Sequence, residues 1–269
     1  MMNTLLLRPS RIAVKIGSNV LTRRDGTLDF TRMSALVDQV ADLRHAGIEV
    51  VLISSGAVAS GRSELHLPTS EVSHMDSVEQ RQLFSAVGQA KLMGRYVELF
   101  RDHDIHVGQV LTMKESFSTP EQYQNQRACM MTMLEHGVLP IVNENDTVAV
   151  TELMFTDNDK LSGLVARMLQ CQWLIILSNI DGIYNGDPKD PSSTIIREVE
   201  PDMNLDDFIQ ASRSSAGRGG MVSKYSTARE VSAEGIDVFI ANGKRENILI
   251  QLLQTPDEVP FTHFTSHHS

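Results

Sequence analysis

Cysteine is nearly absent. Cys129 and Cys171 are the two in 269 residues, and neither stands in a Cys-x-x-Cys pair or at zinc-site spacing to histidines. That excludes a disulfide framework and a thiolate zinc centre; both lie on apolar ground and read as buried thiols. Long apolar runs are missing too: Trp173 to Leu177 is among the longest and falls far short of the roughly 20 residues of a membrane-spanning helix. Positive charge is scarce. The formal net charge of −10 disfavours nucleic acid and anionic membranes, which need clustered Lys and Arg, so an anionic ligand must meet local positive charge. The Walker spacing Gly-x-x-x-x-Gly-Lys and the Rossmann turn Gly-x-Gly-x-x-Gly are both absent. No repeat or low-complexity linker divides the chain, and its length suits one large α/β domain. The leucines of Met1 to Pro9 precede Arg8, which reverses the charge order of a secretory signal, so a cytoplasmic protein is expected. His263, His267 and His268 lie in a polar tail that reads as a frayed terminus.

What is present is a pair of lysines in glycine-bearing loops far apart in the chain. Lys15 sits in Ala-Val-Lys-Ile-Gly-Ser-Asn (13–19), and Lys224 closes Gly-Arg-Gly-Gly-Met-Val-Ser-Lys (217–224). A transferring phosphoryl group spreads negative charge over its oxygens, and proteins catalyse the transfer by positioning it among fixed positive charges. A third loop, Ser54-Ser55-Gly56-Ala57, follows an apolar run and is small enough to bring backbone N–H groups close to a ligand. Each loop alone reads as an ordinary strand-to-helix turn; three together favour a ligand site.

Periodicity predicts strands at 11–16, 48–53, 106–112, 138–142, 173–178 and 238–241, with helices at 31–46, 78–100, 121–136, 223–235 and 246–253 and a short helix before residue 173. Strand, helix, strand order with crossovers of this length implies parallel pairing and right-handed connections. Residues 62–77 are polar and aperiodic and read as a surface segment, and 202–220 as a flexible loop. Gly88 and Gly94, inside the helix at 78–100, read as points of close helix packing or as neighbours of a loop.

The densest polar stretch, Asn143 to Asp159, follows a buried strand, where open α/β sheets place their ligands. Asp146 suits an ammonium group, and Asn143 and Asn158 suit a carboxylate or an amine. Asp157 reads equally as a helix cap. The acidic residues lack EF-hand spacing, so a dedicated calcium loop is not expected. Magnesium arriving with a nucleotide needs few protein ligands.

The segments around Lys15, at Ser54-Ser55-Gly56-Ala57, Val87-Gly88-Gln89, Val142-Asn143-Glu144-Asn145-Asp146, Asp157-Asn158-Asp159-Lys160-Leu161-Ser162, Asp181-Gly182-Ile183-Tyr184 and Gly219-Gly220-Met221-Val222-Ser223-Lys224 together resemble the glutamate 5-kinases of the amino acid kinase superfamily, in order, over most of residues 11–242. The resemblance implies a three-layer αβα sandwich with a central, mainly parallel sheet. It implies a single kinase domain over 1–269, its core about 11–254, without the small RNA-modification-like domain that many relatives append. It implies synthesis of γ-glutamyl phosphate from L-glutamate and ATP, with magnesium carried by the nucleotide, as the first step of proline formation. The family's roles fall on Lys15 and Lys224 at the phosphates, Asp159 holding both lysines, and Ser55, Asp146 and Asn158 at glutamate with Asn143 nearby. The nucleotide would meet Ser178, Asn179 and Arg218, Gly219, Gly220, Met221, Val222, Ser223 and Lys224. Three positions depart from the family pattern: Asn179 stands where relatives usually carry Asp, and Met154 and Thr156 replace a Lys and a Gly. Proline as feedback inhibitor, handover of product to glutamyl phosphate reductase and a homo-oligomer are implied by the resemblance alone.

A carboxylate is already ionised at neutral pH, so direct in-line attack on the γ-phosphorus needs no general base. The alternatives are another acceptor on the same fold (aspartate, N-acetylglutamate, carbamate or a nucleoside monophosphate) and a module that binds nucleotide or amino acid without turnover.

Overall fold

The computed structural model describes residues 9–148, 158–206, 208 and 220–266. The apolar runs become strands β1 (Arg11–Ile16), β2 (Glu49–Ser54), β3 (Val107–Thr112), β4 (Leu139–Glu144), β5 (Trp173–Ser178), β6 (Glu198–Val199), β7 (Asp237–Asn242) and β8 (Phe261–Phe264). The helices are α1 (Ser18–Leu21), α2 (Phe30–His45), α3 (Ala57–Leu65), α4 (Thr69–Val72), α5 (Ser77–Arg101), α6 (Pro120–Glu135), α7 (Asn158–Met168), α8 (Gly220–Ser232) and α9 (Ile248–Gln254). Among the described residues these strands form an eight-stranded sheet in the order β3-β4-β2-β1-β5-β7-β8-β6. Every pairing is parallel except β7 with β8.

Helices cover both faces of this sheet, which is why β4 and β5 are buried along their whole length instead of alternating. Successive residues feed two separate cores. Ile12, Val14, Leu52 and Ile175 pack with α2, α5 and α9 on one face, while Ala13, Val51, Ile53 and Ile176 pack with α7 and α8 on the other. The result is the expected three-layer αβα sandwich.

Four expectations are corrected. Residues 62–77 are not one surface segment: α3 runs to Leu65, α4 follows, and Asp76 caps α5 with Glu79 in a reciprocal box. The buried side of α3 is Ala57, Ser60 and Gly61, small residues that carry no apolar signal. A Cβ on Gly61 would stand 1.8 Å from the Phe84 carbonyl oxygen, and one on Gly88 would stand 1.8 Å from that of Ala57. The α3 and α5 backbones touch. The sheet also runs past the last helix read from sequence, because β8 pairs with β7 and buries Phe261 and Phe264.

His263 therefore belongs to a strand; it stacks on Phe239 with ring centroids 4.4 Å apart and lies 3.3 Å from an Asp237 carboxylate oxygen. His267 and His268 lie outside the described residues. Cys129 is exposed on α6, whereas Cys171 is buried and its thiol is pushed up to about 12, chiefly by burial.

Candidate active site

Parallel strands bring their carboxyl ends to one edge. The chain passes from β1 to β2 on one side and later returns to place β5 on the other side of β1; such a switch point opens a crevice at that edge. Lys15 lies at the end of β1, Ser55 just beyond β2, Asn143 and Glu144 at the end of β4, and Ser178 at the end of β5. Gly17 crosses the crevice floor. Its N–H donates to the Leu177 carbonyl over 3.1 Å, and a Cβ there would lie 3.0 Å from that oxygen. Gly56 turns the chain onto α3 at φ +112°, a conformation that glycine adopts without steric cost.

Asp159, in the first turn of α7, is 1% exposed and stands between the two lysines. One carboxylate oxygen takes the ammonium of Lys15 and the other takes that of Lys224 at 3.0 Å. Lys224 also donates to the Gly220 carbonyl at 3.1 Å, within its own helix α8. Buried charges persist only when paired. Here one anion fixes two cations and leaves one net positive charge directed at the crevice.

A second charged group occupies the other end. Arg81 of α5 donates from Nε to Asp146 Oδ1 at 2.6 Å and from Nη2 to Glu144 Oε2 at 2.7 Å. Burial raises the Asp146 carboxyl above its usual value of 3.8, more strongly than the Arg81 charge and hydrogen bond lower it. Between the two groups runs a chain of amides. Gln89 Oε1 accepts from Asn143 Nδ2 at 2.9 Å, Asn143 Oδ1 accepts from Asn158 Nδ2 at 2.9 Å, and Asn158 Nδ2 also donates to the Ser55 hydroxyl at 3.0 Å.

The cleft these groups enclose holds about 330 Å³. Lys15, Ser55, Asn143, Asp146, Asn158, Asp159, Ser178, Asn179, Gly220 and Lys224 all line it, as the sequence reading expected. Met221 and Val222 instead pack against the core, and Ser223 is not among the lining residues. Arg218, Gly219, Met154, Thr156 and Asp157 lie outside the described residues.

Glu144, within the polar block after β4, lines the cleft too, and so does Arg81, to which the sequence assigns no role. A signal was available: Arg81, Ser85 and Gln89 continue, at helical spacing, the stripe that Leu92 and Tyr96 bury further along α5. Polar residues in a core register mark a site.

The chain matches the amino acid kinase family over residues 10–242. It is 67% identical over 255 residues to the glutamate 5-kinase of Bacteroides thetaiotaomicron, covering 95% of this chain and 70% of that one. It is 44% identical to the glutamate 5-kinase of Chlorobaculum tepidum, covering 89% of this chain and 65% of the relative. With the glutamate 5-kinase of Symbiobacterium thermophilum, at 41% identity, the shares are 90% and 92%. The chain thus spans about two thirds of the length of the first two relatives and most of the third. Among solved structures an isopentenyl phosphate kinase superposes with a TM-score of 0.66 at 16% identity, covering 95% of this chain and 100% of that one. UMP kinase from Bacillus anthracis superposes at 0.64 and 14%, covering 97% of each chain; at these identities the likeness speaks for the fold. With the paired lysines on one aspartate and relatives of this similarity, the chain belongs to the amino acid kinase family, on its glutamate 5-kinase branch.

Proposed function

We propose that the chain transfers the γ-phosphoryl group of ATP to the γ-carboxylate of L-glutamate, yielding L-glutamyl 5-phosphate for proline synthesis. The observation that carries this reading is the convergence of Lys15 and Lys224 on the two oxygens of Asp159, in the cleft that also holds Asp146. Two anions must approach each other during the reaction, and the held lysines offset that repulsion. Lys15 bridges acceptor and γ-phosphate, while Lys224 follows the charge that develops toward the leaving phosphate. Asp159 is a positioning residue.

The amide chain fixes polarity at the acceptor end. With Asn158 Nδ2 committed to Ser55 and Asn143, its carbonyl oxygen is left to accept from an ammonium, and the Ser55 hydroxyl is left to donate to a carboxylate. Asp146 supplies the negative charge opposite the ammonium. Ser178 and Asn179 on the far rim, with Gly220 at the start of α8, face the nucleotide. Both oxygens of Asp159 are taken by lysines; magnesium arriving with ATP would need few ligands from the protein and would add positive charge at the phosphates. Action in the cytoplasm, assembly into a homo-oligomer, inhibition by proline and handover to glutamyl phosphate reductase complete the reading, supported by the family relationship.

The test combines protein, ATP, magnesium and hydroxylamine with single amino acids, so that an acyl phosphate is trapped as a hydroxamate. Hydroxamate with L-glutamate, and none with aspartate or N-acetylglutamate, is the expected result. ADP release without any hydroxamate would refute the carboxylate acceptor.

A further inference from the structure

We infer that Arg81 is the residue that recognises the α-carboxylate of the amino acid substrate, by exchanging its ion pair with Asp146 for one with the incoming ligand. The inference rests on the kinase reading above and extends it to a residue with no role so far. Arg81 lines the cleft together with both of its carboxylate partners. Its side chain is 32% exposed, against 2% for Glu144 and 10% for Asp146. The guanidinium is thus the accessible member of the group, and Glu144 is its buried anchor.

Charge decides what this group accepts. Among the described residues, two carboxylates around one guanidinium carry a net charge of −1, which a lone anion would not approach. An α-amino acid brings an ammonium and a carboxylate on one carbon, and the two match Asp146 and Arg81 in sign and spacing. The ammonium takes Asp146, the contact between Arg81 and Asp146 is given up, and the freed edge of the guanidinium meets the α-carboxylate, for which its planar fork is shaped. Glu144 keeps its 2.7 Å hydrogen bond to Arg81 throughout, so the guanidinium does not swing into solvent. One ion pair is lost and two are gained. The γ-carboxylate is then directed away from α5, toward Lys15 and Asp159.

The experiment compares L-glutamate with its α-carboxamide, which keeps the ammonium and the γ-carboxylate, in the hydroxamate assay. The unaltered protein is expected to prefer L-glutamate by roughly 10- to 100-fold in kcat/KM, the range of one charge-assisted hydrogen-bonded contact. In Arg81→Gln most of that preference disappears: L-glutamate falls toward the level of the amide, the amide changes little, and the KM for ATP stays put. Arg81→Lys, which keeps the charge and loses the fork, is expected to retain part of it. Equal losses for both substrates would reduce Arg81 to a brace for Asp146 and Glu144 and overturn the assignment. So would an unaltered protein that uses the amide as well as L-glutamate, a result that needs no variant to fold. An unaltered protein that makes no hydroxamate from L-glutamate would instead overturn the kinase reading itself.

Discussion

Asn158 and Ser55, 103 positions apart in the chain, meet through a 3.0 Å hydrogen bond from the asparagine amide to the serine hydroxyl. The bond fixes which end of each amide faces the cleft, and its far support is Gln89, whose Oε1 holds Asn143. Gln89→Leu would leave the buried Asn143 donor unpaired. The cost of such an orphan is about 1–3 kcal/mol, and it should appear as a KM for glutamate raised on the order of tenfold with the KM for ATP unchanged. Parallel changes in both KM values would place Gln89 outside the acceptor end.

Removing either lysine should act on the chemical step. Lys15→Ala and Lys224→Ala are each expected to lower kcat by roughly 10²- to 10³-fold, or 3–4 kcal/mol, while the KM for glutamate stays nearly normal. Asp159→Asn, which releases both ammonium groups at once, should fall at least as far. Initial rates at saturating ATP check this, and a variant whose only change is in KM would speak against the role.

The contact between α3 and α5 predicts opposite outcomes for two glycines of one helix. At Gly88 a methyl group would overlap the Ala57 carbonyl, so Gly88→Ala must push α3 aside, at a cost of about 1–3 kcal/mol or more. The displaced start of α3 carries Ser55 and Gly56 with it and weakens glutamate binding. Gly94 is exposed, and a Cβ there meets nothing within 4 Å. Gly94→Ala should stabilise the protein by about 0.5–1 kcal/mol, read from thermal or denaturant unfolding.

Asp146 gives the activity an acid limb. Its folded-state carboxyl titrates above 3.8 because burial outweighs Arg81, so over the interval between that value and its folded one the folded protein binds more protons than the unfolded chain. The group therefore opposes folding above its folded value, and that penalty fades as pH falls toward 3.8. Ligand binding runs the other way, since only the ionised form pairs with an ammonium. The KM for glutamate should rise on acidification before ordinary carboxylates protonate. Asp146→Asn should show a higher KM that no longer depends on pH in this range; an unchanged pH profile would exclude Asp146 as the titrating group.

Where burial on both faces dictates composition, the sequence is readable. β1 and β5 occupy the expected residues, and Lys15, Asp159 and Lys224 are found together. What escaped has two physical causes. α3 packs through absent side chains, at Gly61 and against Gly88, and hydrophobic periodicity does not register such contacts. β8 is four residues long and lies between β7 and β6, with Phe261 and Phe264 feeding the cores on opposite faces, a pattern too brief to stand out from a polar tail. Arg81 and Gln89 show a third limit: each belongs to a helix that was found, but their partners Asp146, Glu144 and Asn143 lie 54–65 residues away, and periodicity within one helix does not report them.

Lys15 is 144 residues from Asp159, and Lys224 is 65 residues beyond it. On the ribosome, at about 5–20 residues per second, those last 65 residues take roughly 3–13 s to emerge. Through that interval a nascent chain can bury the first lysine with its aspartate and still be inert. Catalytic competence consequently waits for Lys224, and the return of turnover during refolding reports the joining of segments more than two hundred residues apart in the chain.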